Sequence, residues 1–339
     1  MIGYYVHHQG LGHLHRALCI AAEAQEEVTV LSSLPRPRTW PGPWVALPPD
    51  TAGSPVDPTA RGRLHWVPVH HPGHRERMAV IADWIRRARP ALFVSDVSVE
   101  AAALARLMGV PVVVAAMRGD RRDEAHRLAY DLADALLAPW PARLPEPGWP
   151  AHWYAKTLCT GSISRYDGRP RPASAPRGPG TRRNVVVMLG AGGAELTARQ
   201  MREAAEAAPD WSWTVLGGPG AAWVEDPWPV LCGADLVVTH AGQNAVAECA
   251  AARVPTLVIP QDRPHGEQQA TARALEAAGL ATVRTAWPAP QAWPALLAEA
   301  AARPDRWALW SPGDGARTAG RLLTGLARRT RQEVACAPR

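Results

Sequence analysis

The side chains best suited to chemistry in this 339-residue chain sit in two small-residue turns. The first reads His7-His8-Gln9-Gly10-Leu11-Gly12-His13-Leu14-His15-Arg16. Gly10 and Gly12 let the backbone turn sharply, and the helix start that follows presents N–H groups to a phosphate. His13 stands at the loop-to-helix junction. Imidazoles titrate near neutrality and can accept a hydroxyl proton; a helix-start histidine can equally just bond to backbone. Asp96, in Phe93-Val94-Ser95-Asp96-Val97-Ser98, follows an apolar run expected on the same sheet edge. It can orient His13 and stabilise its protonated form, or simply cap the helix that begins near Val99. The third glycine of G-x-G-x-x-G is replaced by His15, and the second strand ends Val30-Leu31-Ser32-Ser33 without the acid that holds an NAD ribose. That argues against a dinucleotide oxidoreductase, although Arg36 leaves NADP open.

The second turn is denser in signal. Asp235-Leu236-Val237-Val238-Thr239-His240-Ala241-Gly242-Gln243-Asn244-Ala245-Val246-Ala247-Glu248 runs a buried strand into small residues, with a helix starting near Asn244. Backbone N–H groups and the positive end of a helix dipole then meet where a diphosphate can sit. Glu248, a turn into that helix, can accept hydrogen bonds from a ribose diol. The loop Pro260–Gly266 follows the next strand, so Glu267 and Gln268 project towards the same strand ends.

These stretches, H-A-G-Q-N-A-V-A-E, then V-P-T-L-V-I-P-Q, then E-Q, resemble the nucleotide-sugar signature of the MurG-like glycosyltransferases of family 28. More loosely they resemble plant and antibiotic UDP-sugar transferases. Gly10-Leu11-Gly12-His13 is similar to the family's first glycine loop, and Met188-Leu189-Gly190-Ala191-Gly192-Gly193 occupies the place of its second. The resemblance implies a GT-B fold, with two facing Rossmann-like α/β domains, parallel sheets and a cleft between them. It implies that His240 and the backbone of Gly242, Gln243 and Asn244 touch the diphosphate, with Gly190, Gly192 and Gly193 closing over it. Glu248 then holds the ribose, Val224 lies beside the base, Glu267 and Gln268 meet donor-sugar hydroxyls, and His13 is the base, with Asp96 behind it. Two positions depart from the pattern: Ala241 replaces a glycine, and Glu267 replaces the usual shorter acid, which leaves the donor sugar open.

The implied reaction moves a sugar from a nucleotide-sugar, a UDP-sugar by this reading, to a hydroxyl acceptor that is lipid-linked or a small molecule. No D-x-D motif or metal-ligand spacing occurs, so the expected mechanism is inverting and metal-free, with no cofactor. A UDP-sugar hydrolase, a UDP-sugar epimerase and a silent nucleotide-sugar binding protein share much of this signature.

The elements that must position these residues alternate between short β-branched runs and longer Ala/Leu-rich segments, the pattern of repeated βα units. Strands are expected at Ile2–Val6, Val28–Leu31, Leu64–Val67, Leu92–Val94, Val110–Ala115 and Ala135–Ala138. After residue 183 they are expected at Val185–Leu189, Thr214–Leu216, Leu236–Thr239 and Thr256–Ile259. Residues 166–183, rich in Pro, Gly and Arg, read as a linker between domains 1–165 and 184–339, with a final helix able to pack back on the first. The charge is +6, but the arginines gather in that linker rather than in a stripe with interleaved aromatics, which argues against nucleic acid. Five scattered cysteines without a C-x-x-C pair and an N-terminus without a signal-peptide pattern fit a cytoplasmic protein. The segment Arg75–Arg89 combines Met78, Ile81, Trp84 and Ile85 with arginines, and could place the protein peripherally on the inner face of the membrane.

Overall fold

A computed structural model describes residues 1–51, 53–172, 181–189, 196–218, 224 and 226–336, the side chains of 333–336 excepted. The chain divides into two compact units, Met1–Pro139 with Pro147–Thr160 and Ala316–Arg339, and Trp140–Glu146 with Gly161–Gly315.

The first unit runs β1 (Ile2–Val6), α1 (Gly12–Glu23), β2 (Val28–Ser32), β3 (Trp44–Ala46), α2 (Pro72–Ala88), β4 (Leu92–Asp96) and α3 (Val99–Leu107). It continues with β5 (Val112–Ala115), α4 (Glu124–Leu132), β6 (Ala135–Ala138), α5 (Ala151–Ala155) and β7 (Thr157–Cys159). The seven strands pair in parallel in the order β3-β2-β1-β4-β5-β6-β7. Strands covered on both faces read as continuous apolar runs, which is why Ile2–Val6 and Ala135–Ala138 were legible. Helix α2 buries Ile81 and Ile85 on this sheet. Gly3 makes room for it, because a Cβ there would stand 2.6 Å from the Trp84 ring. The side chains that could have met a lipid surface are therefore buried or half-buried against protein. The outward arginines Arg86 and Arg87 pair with Asp83 on the same helix.

The second unit comprises β8 (Arg183–Met188), α6 (Ala198–Ala207), β9 (Trp211–Leu216), α7 (Trp228–Cys232), β10 (Leu236–Thr239) and α8 (Gln243–Ala252). Then follow β11 (Thr256–Val258), α9 (Glu267–Ala277), β12 (Thr282–Val283) and α10 (Trp293–Ala301). Its five parallel strands lie in the order β12-β11-β10-β8-β9. Val185, Val187, Leu236, Val238 and Leu257 form its core with Trp211 and Trp293. Tryptophan does the packing that phenylalanine does elsewhere: Trp140, Trp153, Trp228, Trp293 and Trp307 are all fully buried. The long helix α11 (Gly315–Cys336) ends the described chain and, from Ala316 on, belongs to the first unit.

Two expectations fail. Leu64–Val67 is a run of turns, not a strand. Asp57, Ala60, Arg61 and Gly62 before it take positive φ, and the N–H groups of His65 and Trp66 go to Glu100 Oε1 at 2.8 and 3.0 Å instead of to a ladder. Second, the stretch read as a linker is packed chain at its start. Tyr166 is buried, its ring 4.7 Å from that of Trp228, and Arg169 makes two bonds to Asp226 at 2.9 and 2.6 Å, all within the second unit. Aromatic stacking and a bidentate ion pair anchor residues that composition alone marks as unstructured. Residues 173–180 of that stretch lie outside the described residues.

Candidate functional site

In both sheets the first strand (β1, β8) lies at the point where strand order reverses, the position at which doubly wound sheets bind ligands beyond their strand ends. In the first unit that point lies between β1 and β4, where Val6 pairs with Asp96. The turn after β1 takes a left-handed residue at Gly10 (φ 80°), with open space in front of its Cα, and leads into α1. His13 Nδ1 then stands 2.9 Å from Asp96 Oδ1. Asp96 has no solvent exposure, and its other contacts come from Arg16 Nε at 3.1 Å and Nη2 at 2.5 Å and from the Tyr4 hydroxyl at 3.4 Å. Burial alone raises a carboxyl's pKa, but the charges of Arg16 and then His13 outweigh it and hold Asp96 well below the carboxylate range. Arg16 Nη2 also lies 3.2 Å from His13 Nδ1, but its closer bond goes to Asp96; since a carboxylate only accepts, the 2.9 Å contact with Asp96 puts the His13 proton on Nδ1 and leaves Nε2 as the acceptor. Asp96 is not the cap of α3; Ser98 is, accepting from Ala101 N at 3.1 Å. Arg16 went unread in the sequence, although its i, i+3 spacing from His13 puts both on one face of α1. The neighbouring His7 stacks on His8, and burial, then the adjoining imidazoles of His8 and His13, push its pKa down to about 4.

The same unit gathers His65, Asp123 and His126, whose donor atoms lie within 4.8 Å of one another, close enough for a divalent ion. His126 Nδ1 meets Asp123 at 2.6 Å and His65 Nε2 meets it at 3.3 Å, while the Arg121 guanidinium lies 3.3 Å from His126 Nε2. A guanidinium only donates, so that Nε2 must accept and the proton sits on Nδ1 facing Asp123. This is a hydrogen-bond network that joins the turns around residue 65 to the start of α4.

In the second unit the reversal lies between β8 and β10. The glycines expected to close over a diphosphate, Gly190, Gly192 and Gly193, lie outside the described residues, as do Trp223 and Glu225; Val224 is half-buried. Helix α8 starts at Gln243 behind Gly242, which has no side chain to cap it and has open space in front. Just before it, His240 Nδ1 donates to the Ile259 carbonyl at 2.8 Å, and His240 Nε2 is buried without a partner among the described residues. Five residues into α8, buried Glu248 accepts from Arg165 Nε at 2.9 Å. Burial lifts the Glu248 pKa and Arg165 pulls it back. Thr239 pairs with Val258, so the loop after β11 opens on the same edge. There His265 and Gly266 are both left-handed, Glu267 begins α9, and buried Gln268 accepts from Gln261 N at 2.8 Å. Gln268 thus braces the loop, and Arg263 Nη2 reaches Gln261 Oε1 at 3.0 Å. The structure brings His13 to Asp96, and it gathers His240, Gly242–Asn244 and Glu248 in the turn and helix after β10, with Glu267 and Gln268 opening α9 after β11. Arg165 could not be read from the sequence, because its partner lies 83 residues away.

With this geometry in place, comparison with known proteins is specific. Residues 229–287 match the glycosyltransferase family 28 C-terminal domain. The chain is 32% identical over 136 residues to an uncharacterized glycosyltransferase of Methanosarcina acetivorans, covering 35% of this chain and 34% of that protein. The match therefore spans about a third of that relative's length. Among solved structures, the glycotransferase of kitacinnamycin superposes with a TM-score of 0.63 at 20% identity, over 99% of both chains. MurG of Acinetobacter baumannii gives 0.60 at 18% identity, over 97% of this chain and 99% of its own. The chain as a whole has the GT-B fold.

Proposed function

We propose that this protein is a glycosyltransferase that moves a sugar from a nucleotide-sugar donor, UDP-linked by preference, to an acceptor hydroxyl. The mechanism in this reading is inverting and independent of metal. The observation that carries transfer, as against binding alone, is the His13–Asp96 pair, with Nδ1 tied and Nε2 left to accept. His13 Nε2 takes the acceptor's proton as its oxygen attacks the anomeric carbon, the bond from that carbon to the diphosphate oxygen breaks, and the nucleoside diphosphate leaves. Charge developing on the leaving group falls to the N-terminus of α8 and to His240, with the second-loop glycines in support. Glu248 takes the ribose, Val224 the base, and Glu267 with Gln268 the sugar.

The acceptor in this reading is a small molecule or a lipid-linked alcohol. No helix among the described residues is long and apolar enough to cross a membrane. Cys19, Cys159, Cys232 and Cys249 carry no disulfide, in keeping with a cytoplasmic setting.

The test is thermal unfolding with UDP, dTDP, GDP, NAD and NADPH. A nucleoside diphosphate at about a hundredfold excess over its Kd should raise Tm by roughly 5 °C or more, and Glu248→Ala should lose that rise. His13→Ala should abolish transfer to any acceptor found and still bind UDP. Stabilisation by NADPH alone overturns the reading. Sugar release in the absence of every acceptor points to the hydrolase.

A further inference from the structure

The unpartnered nitrogen of His240 has a consequence for how a donor binds. Nδ1 lies 2.8 Å from the Ile259 carbonyl oxygen, which can only accept, so Nδ1 carries a proton. In the neutral ring Nε2 is then a bare lone pair, and among the described residues it is buried without a partner. A diphosphate also only accepts. Two acceptors cannot share a contact without a hydrogen, and leaving both buried and unpaired is costly. We propose that His240 engages the donor diphosphate as the imidazolium, so that donor binding takes up one proton from solvent at Nε2. This rests on the assignment of the diphosphate to the turn His240–Asn244.

The ring is set to receive that proton late. Burial, and then the positive charge of Arg263 from the loop after β11, push the His240 pKa below its ordinary value, against the pull of the Ile259 carbonyl. The ring is therefore neutral near pH 7 until an anion arrives, and the anion offsets both costs. Arg263 has a second part: on its own it opposes the imidazolium, and with a diphosphate bound both cations are balanced by the same anion. Once taken up, the proton stays on Nε2 through transfer and balances charge as the bond to the sugar breaks, so His240 also serves the leaving group. By linkage, donor affinity then falls as pH rises, by up to about tenfold per pH unit between the free and bound pKa values of the ring.

Calorimetry tests this with UDP-glucose and dTDP-glucose, whose esterified diphosphates do not themselves titrate between pH 6 and 9. Titrations at pH 7.5 in phosphate and in Tris, buffers of different ionisation enthalpy, count the protons. Wild type should take up close to one, and Kd should rise between pH 7 and 8.5. His240→Gln keeps an N–H donor without a titrating group; it should bind with no proton uptake and a flat pH dependence. If that variant fails to bind, ring 15N shifts of His240 in the wild-type complex decide, both nitrogens being protonated on this proposal. Binding without proton uptake, or uptake that survives in His240→Gln, overturns the proposal alone. Failure of these probes and of free UDP, dTDP and GDP to bind overturns the donor-site reading beneath it.

Discussion

Asp96 serves both His13 and Arg16, and that sharing sets what its replacement does. One oxygen faces both His13 Nδ1 and Arg16 Nη2, at 2.9 and 2.5 Å, with no solvent near either partner of the Arg16 pair. Asp96→Asn offers His13 an amide that can donate, which favours the wrong tautomer, and it takes the carboxylate away from a buried guanidinium. Transfer should fall by about 10³–10⁴-fold, as when the acid of a triad is neutralised, while the melting shift with UDP remains. Folding should also weaken, because the buried Arg16 loses its carboxylate, so rates belong at a temperature where circular dichroism shows the variant folded. An Asp96→Asn enzyme with unchanged kcat would remove the pair from the mechanism. Arg16→Met gives the opposite change: Asp96 then faces His13 without the competing guanidinium, and transfer should survive where Asp96→Asn loses it. Little of this was legible at the level of single residues. His13 and Asp96 could be singled out by type and by their place after strands, but a cap and an orienting acid look alike until Ser98 is seen to take the cap. Arg16 is one arginine among many in an arginine-rich chain, and only the partner 80 residues away distinguishes it.

At the scale of elements, legibility follows burial. Strands covered on both faces, such as Leu92–Asp96 and Leu236–Thr239, announce themselves as β-branched or leucine runs. The edge strand Trp44–Ala46 is three residues among prolines and carries no such run. Leu64–Val67 fails for the converse reason: its apolar side chains are real, but left-handed residues just before it curl the chain and hand its N–H groups to Glu100. Helix α11 illustrates packing that no periodicity shows. Gly320 lies flat on the end of α1, where an added Cβ would meet the Glu23 carbonyl carbon and oxygen at 2.7 Å and Ala24 N at 2.9 Å. All three are backbone atoms that cannot rotate away. Gly320→Val must therefore lift α11 from α1, at a cost of about 1–3 kcal/mol. Urea unfolding should show a lower midpoint with an unchanged slope. An unchanged midpoint would mean that this helix is not held where the glycine places it.

Across the whole chain, Glu26 ties the beginning of the sequence to its end. Its carboxylate meets Arg331 Nη2 at 2.5 Å, Arg328 Nε at 3.4 Å and the Met1 ammonium at 3.1 Å, all inside the first unit. Gln25 beside it donates its N–H to Thr324 at 3.1 Å, so the join is made by backbone as well as charge. The hydrogen bond from Arg331 draws the Glu26 pKa down to about 2; partial burial opposes it, and the Met1 ammonium adds to the fall. Because the folded pKa lies below the unfolded one, the unfolded chain binds the proton more readily. The contribution to stability is thus complete above the ordinary glutamate range near pH 4.5 and drains away as pH falls towards 2. Glu26→Gln removes the titration and most of the attraction. The gap in Tm between wild type and Glu26→Gln should be constant from pH 7 to about 5.5, then close steadily on acidification. It should also narrow when NaCl is raised at neutral pH, since the arginines stand partly in solvent. A gap that widens in acid would reverse the sign of the linkage and show that Glu26 is not the charge that fastens the C-terminal helix.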